Sequence, residues 1–588
     1  MKQFFKMLFA SVIGTFVGIF CITAMFAVVL YAGLSSTSKV SYIPEKHENI
    51  LKISMRGVID DYTEENPLSI LLGDEPALSL KDILTAVDRA KTNDHIKGIY
   101  LDIGMFSTGT ATLDAIRRAL KDFRESGKFV VAYADNYSQG GYYLAAVADH
   151  VYLNPRGVLI LQGLSSETMF YKGLLQKLGI EMEVFKVGTY KSAVEPFLSD
   201  RLSDANREQI TSYMGGIWDN VVNEIAASRN LIASDINRYA DEGLFFADPS
   251  IAVECGLIDS LAYRIGVETR LKELSGQTSS KLKTLSVYEM IKVKVSKREY
   301  RNKIAVIYAE GEITGSIDMP YLVAQKNITE SLAGKLRELE NNEEVRAVVM
   351  RVNSPGGDAF VSEQIWQQVE KLNRKKPVVV SMGSVAASGG YYIACAARKI
   401  VAESNTLTGS IGIFGIYPNI SGLLGKLDLT TDVVKTNKYA DLGEMSRPMT
   451  NEERALIQAY IERGYELFLS RCAEGRHMSR DSVDAIAQGR VWTGEQALNL
   501  GLVDELGGID CAIKLAVELA NIYNYTLIDV SFLENSLKDI LQRQLGGAKI
   551  SVAKDVIGSE EYEFFNLLRQ IKTSYGVKAR IPYDMKPL

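Results

Sequence analysis

The stretch Ser381-Met-Gly-Ser-Val-Ala-Ala-Ser-Gly-Gly-Tyr-Tyr392 joins an apolar β-branched run, Val378–Val380, to a second apolar run that begins at Ile393. This order predicts a strand, a turn of small residues, and a buried helix that begins near Ser388. Unpaired N–H groups and the positive end of the helix dipole meet at such a helix start, which suits a developing oxyanion. The alternative role for Ser388 is an ordinary N-cap, because serine often begins helices without any chemistry.

Working outward from this stretch, the chain repeats itself in a single register. Gly140–Ala145 matches Gly389–Ala394, and Ile96–Leu101 matches Val345–Met350, both at an offset of 249 residues. Gly173 falls on Gly422 at the same offset. Such agreement indicates duplication, so we expect both halves to fold alike.

Each half alternates short apolar strands with amphipathic helices, which predicts an α/β fold with a buried, largely parallel sheet. In the second half the predicted strands are Ile304–Ala309, Val345–Val352 and Pro377–Ser381, and the predicted helices are Asn327–Leu339 and Glu363–Leu372.

The predicted domain organisation follows from the repeat and from changes in composition. Ser275–Lys283 is polar and reads as a linker, Val287–Arg301 reads as a connecting helix, and the segment after Leu519 has no counterpart in the first half. We interpret that last segment as a packing or assembly extension. The predicted units are 1–38 (cytoplasmic N-terminus and transmembrane anchor), 48–274 (first repeat), 275–301 (linker and connecting helix), 302–519 (second repeat) and 520–588 (C-terminal extension).

The N-terminal segment predicts one transmembrane helix. Met7–Ser38 contains no charged residue, and Met7–Leu34 is almost wholly apolar and long enough to span a bilayer. Lys2 and Lys6 precede it, so the N-terminus is expected in the cytoplasm and the remainder outside. The alternative is a cleaved signal peptide, whose apolar core would be only about 7–15 residues long.

Composition argues against several classes of function. The net charge of −6 and the absence of a basic tract make nucleic acid an unexpected partner. Five scattered cysteines without a Cys-x-x-Cys pair argue against a zinc site and a disulfide framework. Only four histidines occur, so a mechanism that requires histidine has few candidates.

A second motif, Asn353-Ser-Pro-Gly-Gly-Asp358, follows a predicted strand and exposes N–H groups without side chains in the way. Alone, such a motif is usually a tight turn. Together with Ser388 on the next strand–helix junction, it predicts two N–H donors near one hydroxyl, which is the arrangement for acyl transfer.

Ser388 also needs a base, and the repeat nominates one. Lys191 in the first half corresponds to Ala440 in the second, whereas Ser388 corresponds to Gln139. Each half therefore holds one member of a pair, and one intact site could form where the halves meet. A desolvated lysine can accept a proton, although a solvated surface residue is the alternative role for Lys191. His150, by its alignment, lies away from the equivalent position.

These motifs, together with Thr408-Gly-Ser-Ile-Gly412 and Tyr190-Lys-Ser-Ala-Val-Glu-Pro196, closely resemble those of the double-length bacterial signal peptide peptidases of the protease IV type. The resemblance covers residues 48–510 and the anchor. It implies two tandem repeats of the crotonase fold, which the Clp proteolytic subunit shares, a Ser–Lys dyad and a bowl-shaped homotetramer. It further implies Ser388 as nucleophile and Lys191 as general base, with Ser410 orienting the lysine and Gly357 and Gly389 as oxyanion donors.

The expected function is that of a serine endopeptidase anchored in the bacterial cytoplasmic membrane, with its catalytic part on the external side. Its expected substrates are apolar remnant signal peptides, and no metal or cofactor is implied. An acyl-CoA enzyme of the same fold class and a non-catalytic scaffold are the alternatives. The sequence leaves open the cleavage preference, whether the anchor is cleaved, and whether Lys191 reaches Ser388 within one chain or from a neighbour.

Overall fold

The computed structural model describes residues 49–63, 77–293, 299–315, 327–530 and 576–580, together with five isolated positions between residues 6 and 18. The predicted anchor, residues 7–34, lies almost wholly outside this part of the chain. Within the described residues, no helix combines the length and apolar character needed to cross a bilayer.

The first half alternates strands with helices, in agreement with its pattern of apolar runs and amphipathic segments. Its elements in chain order are β1 (Ile50–Val58), α1 (Leu80–Thr92), β2 (Gly98–Ser107), α2 (Thr110–Glu125), β3 (Phe129–Ala134), α3 (Gln139–Ala145), β4 (His150–Leu153), α4 (Lys172–Leu178), β5 (Glu181–Lys186), α5 (Glu195–Leu198), α6 (Asp204–Arg229), α7 (Ala233–Asp241), a 3-10 turn (Leu244–Phe246), α8 (Ser250–Glu254), β6 (Ser260–Leu261), α9 (Arg264–Ser275), β7 (Leu285–Ser286) and α10 (Val287–Lys292).

The second half repeats this alternation and adds strands after its last helix. Its elements are β8 (Lys303–Glu310), β9 (Glu312–Ile313), β10 (Asn327–Ile328), α11 (Ser331–Asn341), β11 (Val345–Ser354), β12 (Gly356–Asp358), α12 (Ala359–Lys375), β13 (Val378–Ala387), α13 (Gly389–Ala394), β14 (Lys399–Ala402), β15 (Leu407–Gly409), β16 (Phe414–Asn419), α14 (Ser421–Lys426), α15 (Asn451–Arg476), α16 (Arg480–Ile486), β17 (Val491–Thr493), α17 (Gly494–Asn499), β18 (Glu505–Leu506), α18 (Ile509–Leu519), β19 (Thr526–Val530) and β20 (Gly576–Arg580).

Two mainly parallel sheets form the centres of the two halves. The first has the order β6-β4-β3-β2-β1-β7, and all of its pairs are parallel. The second contains β17-β15-β13-β11-β8-β19, with β14 and β18 branching from β13. Corresponding strands occupy corresponding places, since β1, β2 and β3 match β8, β11 and β13. The α/β architecture predicted from the alternation is confirmed.

A third sheet joins the halves. Its order is β10-β9-β12-β20-β16-β5, and β5 is contributed by the first half. Six residue pairs connect β5 to β16 in an antiparallel ladder, from Lys186 opposite Phe414 to Glu181 opposite Asn419. Because β5 pairs with β16, the segment that follows β5 in the chain lies against the second half. A fully buried ion pair between Asp61 and Arg351 (Arg351 Nε to Asp61 Oδ2, 3.0 Å) fixes the same interface.

Several predicted elements differ from the observed ones. The predicted helix Asn327–Leu339 begins only at Ser331, because Asn327–Ile328 pairs with β9 as strand β10. The strand predicted to end at Ser381 continues to Ala387 as β13. Its small residues are extended because Val385–Ala387 pairs with β15.

Two segments outside the predicted repeats belong to the sheets. Leu285–Ser286, from the predicted unit 275–301 between the repeats, pairs with β1 in the first sheet, and Thr526–Val530 pairs with β8 at the corresponding place in the second. The early part of the C-terminal extension therefore does have a counterpart in the first half. The helix predicted over Val287–Arg301 ends at Lys292.

Candidate active site

Lys191 and Ser388 come from opposite halves and meet in the interior. The Nζ atom of Lys191 lies 2.8 Å from the Oγ atom of Ser388, although 197 residues separate them in sequence. Both side chains are fully buried, so the alternative of a solvated surface lysine is wrong. Lys191 lies in the turn between β5 and α5, which the β5–β16 ladder brings to the second half. The two residues that the repeat nominated as partners are neighbours within one chain.

The backbone of Ser388 adopts a conformation that is rare for residues other than glycine. Its φ is 55° and its ψ is −114°, at the junction of β13 and α13. The Ser388 N–H donates to the carbonyl oxygen of Gly409 (2.8 Å), and the side chain makes no capping hydrogen bond to the helix. An ordinary N-cap role is therefore wrong for Ser388. Strain of this kind is concentrated at functional positions, and here it accompanies a hydroxyl directed at Lys191.

Three oxygen atoms surround the amine of Lys191. Besides Ser388 Oγ, the Nζ atom lies 3.0 Å from the carbonyl oxygen and 3.0 Å from the Oγ atom of Ser410. Burial lowers the pKa of Lys191 well below its ordinary value, because the ammonium ion loses its hydration. No carboxylate in the described chain forms an ion pair with it. A neutral amine has two N–H donors and one lone pair, so it can donate to both Ser410 oxygens while accepting the Ser388 O–H.

This arrangement predicts how hydrolysis depends on pH. Only the neutral amine of Lys191 can accept a proton from Ser388, and its pKa is lowered. We therefore expect kcat/KM to rise with pH through that lowered pKa and to level off above it, well before the ordinary lysine value. The measurement is kcat/KM for a small peptide between about pH 5 and 10. A flat profile over this range would assign the base to another group.

The Pro-Gly-Gly turn lies against the start of α13. Gly356 and Gly357 have φ angles of 98° and 153°. A Cβ atom on Gly356 would come within 2.7 Å of the Gly389 nitrogen, and one on Gly357 would come within 2.8 Å of the Ile313 nitrogen. Only glycine fits both positions. Gly357 follows Gly356 in the chain and Gly389, the neighbour of Ser388, lies against Gly356, so the two predicted oxyanion donors lie close together.

The loop Gln488–Arg490 closes over Lys191, and no sequence motif pointed to it. Its first carbonyl oxygen accepts the N–H of Tyr190 (2.9 Å), and its last accepts the N–H of Ser410 (2.6 Å). Gly489 has a φ of 79°, and a Cβ atom there would lie 2.7 Å from the Lys191 nitrogen. The loop thus positions both the lysine turn and Ser410. Gln-Gly-Arg reads as an ordinary polar turn, so only the three-dimensional contact identifies it.

The mirrored positions in the repeat do not form a second site. The Oε1 atom of Gln139 accepts the N–H groups of Gln162 (3.1 Å) and Gly163 (3.0 Å), which ties this side chain to its own half. Ala440 lies in an exposed turn. Gln139 and Ala440 therefore form no buried pair like that of Ser388 and Lys191.

The remaining candidate groups do not join this cluster. His150 is the first residue of β4 and is half-buried. Within the described residues, no group of His, Cys, Asp and Glu side chains has the arrangement of a metal site. Cys255, Cys395, Cys472 and Cys511 are all free thiols.

Comparison with known proteins places both halves in one family. The pattern of peptidase family S49 matches residues 122–278, which include Lys191, and residues 370–523, which include Ser388. The pattern of Clp protease matches residues 314–408. The resemblance inferred from the motifs is thereby confirmed.

Whole-chain relatives agree with these matches. Protease 4 of Haemophilus influenzae is 37% identical over 495 residues, covering 81% of this chain and 79% of that protein. Protease 4 of Salmonella typhi is 37% identical over 490 residues, covering 82% and 78%. The chloroplastic serine protease SPPA of Arabidopsis thaliana is 33% identical over 544 residues, covering 91% and 77%.

Proposed function

The chain belongs to peptidase family S49 and is a serine protease, and from this premise we propose that Ser388 and Lys191 are its catalytic dyad and that it degrades remnant signal peptides. The observation that carries the dyad is the buried contact of 2.8 Å between Lys191 Nζ and Ser388 Oγ. A hydroxyl beside a neutral, desolvated amine is the pairing that activates a serine without histidine.

In the proposed mechanism, the Ser388 oxygen attacks the carbonyl carbon of a bound peptide while Lys191 takes the hydroxyl proton. The N–H groups of Gly357 and Gly389 stabilise the oxyanion, and the lysine returns its proton to the leaving amine. Water then hydrolyses the acyl-enzyme by the same route. Ser410 keeps the amine directed at the serine through its two contacts of 3.0 Å.

The third sheet supports extended peptides as substrates. Gly356–Asp358 and Phe414–Asn419 lie one strand apart in this sheet, so the backbone groups of both can pair with an extended segment between them. A remnant signal peptide is short, apolar and free of tertiary structure, so it can adopt this conformation. A folded protein cannot present its backbone in the same way.

The proposed location is the cytoplasmic membrane of a bacterium, with residues 7–34 as a single anchor and the protease on the external side. The support is the uncharged apolar segment and the lysines that precede it. Anchor and substrate would share one membrane. A homotetramer is part of the same proposal and rests on the resemblance to protease IV.

The test is cleavage by the purified full chain in detergent micelles. We expect rapid fragmentation of a synthetic signal peptide and slow cleavage of a polar peptide of equal length, with neither cut by Ser388→Ala. Mass spectrometry of the products gives both rates. Equal rates for the two peptides would overturn the proposed substrate class while leaving the dyad in place.

A further inference from the structure

Gln209 is a fully buried amide on α6 that contacts both chain neighbours of Lys191. Its Nε2 atom donates to the carbonyl oxygen of Tyr190 (3.0 Å) and to the Oγ atom of Ser192 (3.0 Å). The same atom lies 3.0 Å from the Oδ1 atom of Asn206, one turn earlier in the helix. The residues immediately before and after the proposed base are therefore held by one side chain.

The oxygen of this amide reaches the second half. Gln209 Oε1 accepts the N–H of Val491 (3.2 Å), the first residue of β17. Val491 pairs with Gly409, the last residue of β15. Ser410, whose two oxygens lie 3.0 Å from the amine of Lys191, follows Gly409 directly. One buried amide thus connects the turn that carries Lys191 to the strand pair that leads to Ser410.

The charged side chains around the lysine turn have partners of their own. The contacts join Glu195 to Asn206 (2.8 Å), Arg490 to Glu208 (2.6 Å) and Arg480 to Asp484 (3.2 Å). The amine of Lys191 is instead surrounded by neutral oxygens, and burial lowers its pKa. Its reactivity therefore depends on how closely the turn is held in the interior.

The equivalent helix of the second half has no such amide at this position. The helices α6 and α15 are each 26 residues long and follow a hydroxyl N-cap, Ser203 and Thr450. Gln209 is the sixth residue of α6, and the sixth residue of α15 is Leu456, which is 47% exposed. The turn that corresponds to the lysine turn holds Ala440 and is exposed. The buried amide thus accompanies the lysine and not the repeat as such.

We propose that Gln209 is a positioning residue of the Ser–Lys site, which holds Lys191 and Ser410 at the separation that proton transfer from Ser388 requires. This inference rests on the proposed dyad. The amide contacts the residues beside the base rather than the reacting atoms. Its N–H groups fix the lysine turn and its oxygen fixes β17, so the lone pair of the amine stays directed at the hydroxyl.

The test is steady-state peptide hydrolysis by the purified full chain with Gln209→Met, which keeps the side-chain length and removes its hydrogen bonds. On the alkaline plateau of the pH profile, where the amine is neutral, we expect kcat to fall about 10- to 100-fold, as for a slightly misplaced reacting group. KM should change much less. The midpoint of the kcat/KM profile should move to higher pH, because a loosened turn admits water to the amine.

A second variant, Gln209→Glu, decides the question if Gln209→Met does not fold. It keeps the shape and the acceptor for the Val491 N–H, removes the amide donor and adds a negative charge near Lys191. Its midpoint should therefore move to higher pH than that of Gln209→Met, because an opposite charge favours the ammonium form.

The matched control is Asn220→Leu on the same helix, which removes an amide whose Nδ2 atom donates to Asn405 Oδ1 (3.1 Å) across the same interface. It should lose stability in thermal unfolding but keep the wild-type kcat and midpoint. Gln209 variants that lose only stability would overturn the positioning role, as would an equal loss of activity in Asn220→Leu. Failure of the dyad itself is distinguishable, since Lys191→Met would then remain active and both proposals would fall.

Discussion

Lys191→Met is expected to lower kcat/KM for peptide hydrolysis by at least about 10⁴-fold, because removing one member of a catalytic unit costs about as much activity as removing all of them. Methionine keeps the length and the apolar stem of lysine but has no lone pair to accept the proton of Ser388. It also leaves no unpaired charge in the interior. Ser388→Ala should cost about as much, and the double variant should be no worse than either single one.

The control for this experiment is Lys172→Met, which removes a partly exposed lysine of the same half whose Nζ atom lies 3.5 Å from Asp200. Its activity should equal that of the wild type. Thermal unfolding of each variant checks the fold, since the oxygens of Ser410 lose a donor in Lys191→Met, at a cost of about 1–3 kcal/mol. A folded Lys191→Met variant that retains a tenth of the wild-type activity would end the assignment of the base.

Gly357→Ala is expected to reduce kcat about 100- to 1000-fold, equivalent to roughly 3–4 kcal/mol of transition-state stabilisation. At a φ of 153°, the new Cβ atom would lie 2.8 Å from the Ile313 nitrogen. The turn must move away from β9, and its N–H then no longer faces the oxyanion. Because the substrate carbonyl carries little charge in the ground state, KM should change much less than kcat.

The matched control is Gly334→Ala in α11, where an added Cβ atom has no neighbour within 4 Å. We expect unchanged kcat for this variant and a modest gain in stability, because alanine favours a helix over glycine. If Gly357→Ala stays within threefold of wild type in steady-state kinetics, Pro-Gly-Gly is a structural turn and Gly357 is no oxyanion donor.

The sequence predicted both the α/β alternation and the meeting of Lys191 with Ser388, and the second of these predictions came from the duplication. Duplicated halves pack with related surfaces, so a lysine missing from one half and a serine missing from the other can complete a single site. The strands were predictable from local sequence, since buried parallel strands are continuous apolar runs. The anchor and the catalytic roles stay predictions.

Other features depended on distant contacts that leave no local pattern. The φ of 55° at Ser388 accompanies a hydrogen bond from its N–H to the carbonyl oxygen of Gly409. Gly489 and Lys191 are in contact but belong to two polar turns that are distant in the sequence. Neither turn has a residue pattern from which the contact could be predicted. The strand β20 is five residues long, and its conformation is set by the two strands that flank it rather than by its own sequence.

The division of the proposed dyad between two halves also sets the earliest point at which a newly made chain can assemble this site. A ribosome that adds about 5–20 residues per second needs roughly 10–40 s to extend the chain by the 197 residues between Lys191 and Ser388. The Gln488–Arg490 loop, which holds the lysine turn, emerges later still. A nascent or prematurely terminated polypeptide that lacks this loop cannot assemble the proposed site. In the proposed mechanism, proteolysis therefore begins only after residues 488–490 have been added.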